Sequence, residues 1–134
     1  MSNVVEVSHP LIKHHMARLR NETTSPEAFR FLVGRLAVLL AYEATKDLSV
    51  SETNVKTPIC EATAYSLDQR IGIVPILRAG LGMVDPVLNL IPGAEVWHLG
   101  LYRDEETALP VEYYSRIPEK PMDVGLILDP MLAT

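Results

Sequence analysis

The stretch Ile71-Gly72-Ile73-Val74-Pro75-Ile76-Leu77-Arg78-Ala79-Gly80-Leu81-Gly82-Met83-Val84-Asp85-Pro86-Val87-Leu88-Asn89-Leu90-Ile91, with Glu95-Val96-Trp97-His98-Leu99-Gly100-Leu101-Tyr102 just after it, decides the fold. Ile71–Leu77 and Glu95–Tyr102 are short apolar runs of the kind that form strands buried on both faces. Leu81–Ile91 reads as a short helix, with Asp85 as its cap and Pro86 at its start. Strand, helix and strand within about 30 residues make a βαβ unit, which favours a parallel sheet. A third apolar run, Val124-Gly125-Leu126-Ile127-Leu128, extends the pattern. The expected class is α/β, a Rossmann-like parallel sheet flanked by helices.

Upstream, the period is helical. In His9–Arg20 the apolar positions 11, 12, 16 and 19 form one stripe. Thr23-Thr24-Ser25-Pro26-Glu27 signals a second helix start, either with Thr24 capping and Glu27 three residues on, or with Ser25 capping and Pro26 first in the helix. The run from Ala28 to about Lys46 then carries Phe29, Leu32, Val33, Leu36, Leu39 and Leu40 as core or a subunit contact. Gly34 within it costs roughly 1 kcal/mol relative to Ala, and reads equally as the mark of a close helix contact or as incidental. Ser49–Pro58 reads as polar and punctuated, and 59–66 as a weak strand because Ala62 and Ala64 have little β preference. Val111–Arg116 alternates between prolines, as a hairpin-like excursion would.

Composition narrows the function classes. Among 134 residues, 12 Lys and Arg face 17 Asp and Glu, a net charge of −5 with no basic stripe, so no nucleic-acid partner is expected. One cysteine excludes an intrachain disulfide and suits a reducing cytoplasmic setting. No apolar run approaches the roughly 18–20 residues of a membrane span, and the first residues lack the pattern of a secretory signal. Glycine-rich ATP and dinucleotide loops of the Gly-x4-Gly-Lys and Gly-x-Gly-x2-Gly types are absent. His14 and His15 are adjacent and diverge by about 100° on a helix, so the histidines, His9 and His98 included, read as solvated or core residues and no direct metal ligand is assigned. Cys60 lacks a visible base and reads as an idle thiol.

Ligands of open α/β sheets bind beyond the carboxyl ends of the strands. The three apolar runs end there in Arg78-Ala79-Gly80-Leu81-Gly82, in Arg103-Asp104-Glu105 and in Asp129-Pro130. Guanidinium forks match phosphate oxygens, and Gly80 and Gly82 would let backbone amides approach one. An aspartate beside them suits sugar hydroxyls or, through water, Mg²⁺. The combination implies a metal-associated phosphorylated sugar or nucleotide. Taken singly, each element also has a plainer reading: a glycine turn, a solvated charge cluster and a turn starter.

The motifs Val74-Pro75-Ile76-Leu77-Arg78-Ala79-Gly80-Leu81-Gly82-Met83, Gly100-Leu101-Tyr102-Arg103-Asp104 and Asp129-Pro130-Met131-Leu132-Ala133-Thr134 closely resemble the uracil phosphoribosyltransferase family. His9-Pro10-Leu11-Ile12-Lys13-His14 and Leu40-Ala41-Tyr42-Glu43-Ala44-Thr45 look like its opening helices, so the resemblance spans the chain. It implies the type I phosphoribosyltransferase fold and synthesis of UMP and pyrophosphate from uracil and 5-phosphoribosyl 1-pyrophosphate with Mg²⁺, a pyrimidine salvage reaction. By match to the motifs, Arg78 and Arg103 would hold the pyrophosphate. Asp129, Pro130, Met131, Leu132, Ala133 and Thr134 would begin the loop for the ribose hydroxyls and 5′-phosphate. A homodimer or higher oligomer is implied, with GTP an activator in some members.

The sequence departs from the family pattern in two places. Pro86 stands where a small residue is expected, tolerable at a first-turn position. The phosphate loop should continue Gly-Gly-Ser after Thr134, so residues 1–134 are expected to form one phosphoribosyltransferase-like domain that is incomplete at its C-terminus. No residue is then assigned to uracil, and these 134 residues alone are expected to be inactive. The alternative is a truncated non-catalytic remnant acting as a dimerisation or regulatory module.

Overall fold

The computed structural model describes residues 4–116 and 120–131. The elements run α1 (Pro10–Leu19), α2 (Pro26–Ala44), β1 (Val50–Lys56), β2 (Glu61–Leu67), β3 (Ile71–Leu77), α3 (Leu81–Leu90), β4 (Glu95–Val96), β5 (Leu99–Arg103), β6 (Pro110–Ser115) and β7 (Val124–Leu128). The class is α/β, as the βαβ reading requires. Strand β3 lies at the centre. On one side it pairs in parallel with β7, from Ile71↔Val124 to Pro75↔Leu128. On the other it pairs in parallel first with β4 and then with β5. Strand β6 returns antiparallel along β5, the expected hairpin.

Glu95–Tyr102 does not form one continuous strand. It breaks at Trp97-His98, between the β4 pairings of Gly72 and Ile73 and the β5 pairings of Ile76 and Leu77. The break lies opposite Val74-Pro75, and a proline has no N–H to give a ladder. Ser25 rather than Thr24 caps α2, accepting from Ala28 N at 3.2 Å, with Pro26 at the first helical position. Thr24 instead donates its hydroxyl to Arg18 O at 2.6 Å. Helix α3 starts at Leu81 as expected, but its cap residue is Gly80 rather than Asp85, so Pro86 lies inside it rather than in its first turn.

One face of the sheet carries the core. Ile73 and Leu128 pack there against Ala37 and Ala41 of α2 and Met83, Val84 and Val87 of α3. The buried face of α2 is Leu32, Leu36, Ala37 and Ala41, and Phe29 of the expected stripe is 43% exposed. On the other face Gly72 and Gly125 sit side by side. Cβ atoms there would meet Trp97 and the Met122 sulfur at Gly72, and Met122 at Gly125. Strands β1 and β2 form a separate antiparallel ribbon from Val50↔Leu67 to Lys56↔Glu61. β1 falls in the segment that reads as punctuated, and its side chains are almost all exposed.

The edge at the strand N-termini is tied by one residue. Arg70 Nε and Nη2 donate to Glu95 Oε1 and Oε2 at 2.6 and 2.8 Å. Its Nη1 donates to the carbonyls of Lys120 and Pro121 at 2.9 and 3.3 Å, and its guanidinium lies 5.4 Å from the Trp97 ring centre. The Arg70 backbone N donates to Asp123 Oδ2 at 2.7 Å. One side chain thereby joins the starts of β3, β4 and β7. Among the described residues no helix is long and apolar enough to cross a membrane.

Candidate functional site

Because β7, β3 and β5 are parallel neighbours, their carboxyl ends share one edge, and Asp129, Arg78 and Arg103 stand there in spatial order. The order is staggered. Asp129 follows the Leu128↔Pro75 pair directly, Arg78 follows the Leu77↔Gly100 pair, and Arg103 lies three residues past Gly100. At about 3.3 Å per residue along a strand and about 4.8 Å between strands, the edge forms a slanting row rather than one point. Such a row suits an extended ligand with separated polar groups.

Arg78 begins a tight loop after a cis Leu77–Arg78 peptide bond. Within it Gly80 N donates to Ile76 O at 2.9 Å, Leu81 N to Arg78 O at 3.2 Å and Met83 N to Gly80 O at 3.0 Å. These bonds run the loop straight into α3 with Gly80 as its cap residue. The Arg78 and Arg103 side chains are exposed, and among the described residues no carboxylate pairs with either guanidinium. Among the described residues both forks are therefore open to anionic oxygens.

Asp129 is half-buried, and its Oδ1 accepts from Met131 N at 3.0 Å, a turn that also fixes Pro130. Leu132, Ala133 and Thr134 lie outside the described residues.

Asp104, next to Arg103, serves the hairpin loop. Its Oδ1 accepts from Glu106 N at 3.2 Å and from Thr107 N and Oγ1, both at 2.8 Å. The Thr107 bonds above all hold its carboxyl below the usual aspartate range. Ala108 then takes φ 57°, the left-handed value that closes the loop. Nothing in the sequence flags that alanine, because the turn chemistry lies four residues earlier. Tyr113 packs where a side chain on Gly100 would be. Its ring centre lies 6.2 Å from that of Tyr102.

A cleft of about 690 Å³ lies to one side of this row. It runs between α1 and α2, floored by Ile12, Met16, Val33 and Leu36, and meets the edge only at Met83, Asp129 and Pro130. Sequence reasoning missed it, because an apolar stripe on α1 gives no sign that part of it lines a gap. Among the described residues no cluster of three or more His, Cys, Asp or Glu could hold a metal by itself. Cys60 is exposed at the ribbon turn, where its N–H and C=O bond Thr57.

Comparison with known proteins gives the chain a family. The family model described as uracil phosphoribosyltransferase matches residues 5–134. The chain is 53% identical to the uracil phosphoribosyltransferase of Roseiflexus sp. (strain RS-1) and 52% identical to that of Clostridium beijerinckii. Each match covers 100% of the chain and 65% of the relative, so the chain spans a little under two-thirds of these proteins. Among solved structures, the AQ2163 protein of Aquifex aeolicus superposes with a TM-score of 0.87 at 45% identity, over 97% of this chain and 63% of that one. The chain belongs to the uracil phosphoribosyltransferase family.

Proposed function

We propose that the protein as its gene encodes it transfers the phosphoribosyl group of 5-phosphoribosyl 1-pyrophosphate to uracil, giving UMP and pyrophosphate. The observation that carries this reading is the row of Asp129, Arg78 and Arg103 on three adjacent parallel strands, with both guanidiniums unpaired among the described residues. In the reaction the anomeric C–O bond breaks and pyrophosphate leaves with the electron pair. Uracil N1 forms the new C–N bond and gives up its proton. Positive charge develops on the ribose ring and negative charge on the leaving group.

Arg78 and Arg103 bind the departing pyrophosphate, stabilising charge where it grows. Asp129 orients the ribose hydroxyls, and Pro130 and Met131 start the strip of backbone that leads to the 5′-phosphate. Leu132, Ala133 and Thr134 continue that strip by family resemblance. The donor set fits Mg²⁺, because this ion keeps several waters and binds one or two carboxylates together with substrate phosphates rather than an all-protein cage. Asp129 has an oxygen left beyond the Met131 bond for a water-mediated contact. When bound, Mg²⁺ supplies charge neutralisation on the pyrophosphate oxygens. The family likeness also supports a homodimer or higher oligomer, GTP as an activator and a cytoplasmic setting.

The test is UMP formation from labelled uracil in the presence of Mg²⁺. Arg103→Ala is expected to lower kcat/KM by about 100-fold or more, the scale of losing one preorganised charge-stabilising donor. Turnover near wild type in that variant would overturn the role given to Arg103.

A further inference from the structure

Two glycines follow Arg78, and the structure separates their reasons. Gly80 has φ −64° and ψ −18°, ordinary right-handed values that any residue adopts. Its need is for space. A Cβ there would overlap the carbonyl oxygen of Leu128 and stand 2.8 Å from Ile76 N and 3.0 Å from Ile76 O. All three atoms belong to the backbone, so no side chain can turn aside to make room. Gly82, by contrast, has nothing within 4 Å of its would-be Cβ. Leu128 is the last residue of β7 and precedes Asp129, while Gly80 lies two residues past Arg78. The Gly80–Leu128 contact is where the loop bearing one candidate ligand group rests on the strand bearing the other.

We infer that Gly80 is a positioning residue that sets the spacing between the Arg78 loop and the Asp129 loop. The inference rests on the function proposed above and names a residue that acts through Arg78 and Asp129 rather than by touching substrate. A methyl group at 80 lifts the Arg78 loop off β7 and widens that spacing. Each loop keeps its own side chains, so it still binds the half of the ligand that it meets. A ligand that spans both loops gains from their fixed separation and loses when that separation changes.

Titration calorimetry on the protein as its gene encodes it tests this with three ligands in Mg²⁺: pyrophosphate, ribose 5-phosphate, and 5-phosphoribosyl 1-pyrophosphate. Gly80→Ala is expected to weaken the third affinity at least roughly tenfold more than either of the first two. Gly93→Ala is the control. That glycine has nothing within 4 Å of its would-be Cβ and sits before β4, at the opposite edge, and its variant should match wild type for all three ligands. Equal weakening of all three ligands by Gly80→Ala, or none, overturns the positioning role. Wild-type protein that binds none of them overturns the proposed function, and the inference falls with it.

A second measurement needs no variant. Ribose 5-phosphate alone should slow amide hydrogen exchange in a peptide spanning residues 76–83 of the wild-type protein, because the two loops share a contact. Unchanged exchange there, with the ligand bound, also overturns the inference.

Discussion

Pro86 seats its ring against the bare backbone of Gly34, where a Cβ would stand 3.1 Å from Pro86 Cγ. Two locally unfavourable residues meet at one helix crossing. Gly34 weakens α2, and Pro86 removes a hydrogen bond from the interior of α3. Each makes sense only with the other, because the glycine opens the hollow that the proline ring fills. Gly34→Val is expected to destabilise the fold by roughly 1–3 kcal/mol through overpacking. Adding Pro86→Ala should recover part of that loss. Urea denaturation of both single variants and the double variant measures the coupling, and additive effects would separate the pair.

Arg70 and Glu95 set an acid limit on stability. The Arg70 hydrogen bonds above all hold the Glu95 carboxyl below its ordinary 4.5. A carboxylate depressed in the folded state contributes stability that is complete above its unfolded value and is lost as pH falls through the folded one. Midpoints of urea unfolding should therefore drop as pH is lowered from 5 toward 3. In Arg70→Ala the drop should be shallower and the midpoint lower throughout. The pair is partly exposed, so solvent screening keeps its contribution modest.

His15 acts in a higher pH window. Among the described residues its Nδ1 is buried without a hydrogen-bond partner. Burial first, then Arg35, His14 and Arg18, push its pKa below the ordinary 6.5. A depressed histidine is bound to protons less readily when folded, so stability falls as pH drops through 6.5 toward the folded value. His15→Leu should flatten the change in thermal midpoint between pH 7 and 5, and proton NMR of the ring gives the titration directly.

Arg78→Lys should recover little of the activity lost in Arg78→Ala. A lysine ammonium keeps the charge but has no planar fork for two oxygens at once. Steady-state kinetics with 5-phosphoribosyl 1-pyrophosphate varied would show this, and a lysine variant near wild type would mean that charge alone suffices at this position.

The elements legible in the sequence are those whose side chains are decided by burial. The bounds of β3 follow from an apolar run that a central parallel strand requires; β7 follows from an equally apolar run, although its Ile127 is exposed rather than buried as that run suggests. Strand β1 was hidden because Ser51-Glu52-Thr53-Asn54 buries almost nothing, so its pairing with β2 leaves no hydrophobic trace. The split between β4 and β5 depends on Pro75 across the sheet, which no window along one strand contains. Asp85-Pro86 is a sound local start signal, overridden because Gly80 is already pinned to Ile76 and begins the helix earlier. At the site, strand-end placement of Arg78, Arg103 and Asp129 was legible from topology alone. The purpose of Gly80 was not, since a glycine looks the same in sequence whether it serves a turn, a ligand or a crowded backbone. The cleft beside α1 was hidden for a related reason: an apolar stripe does not announce whether it meets a neighbour or a gap.

The Arg70 tie and the row of Asp129, Arg78 and Arg103 lie at opposite ends of β3, with eight residues or roughly 26 Å from Arg70 to Arg78. Over such a distance, substitutions act almost independently. Inherited changes around Arg70 thus alter how many folded molecules a cell keeps, and changes around Arg78 alter what each molecule does. The molecule can be tuned to a hotter or more acidic habitat at one end while its chemistry at the other is left alone.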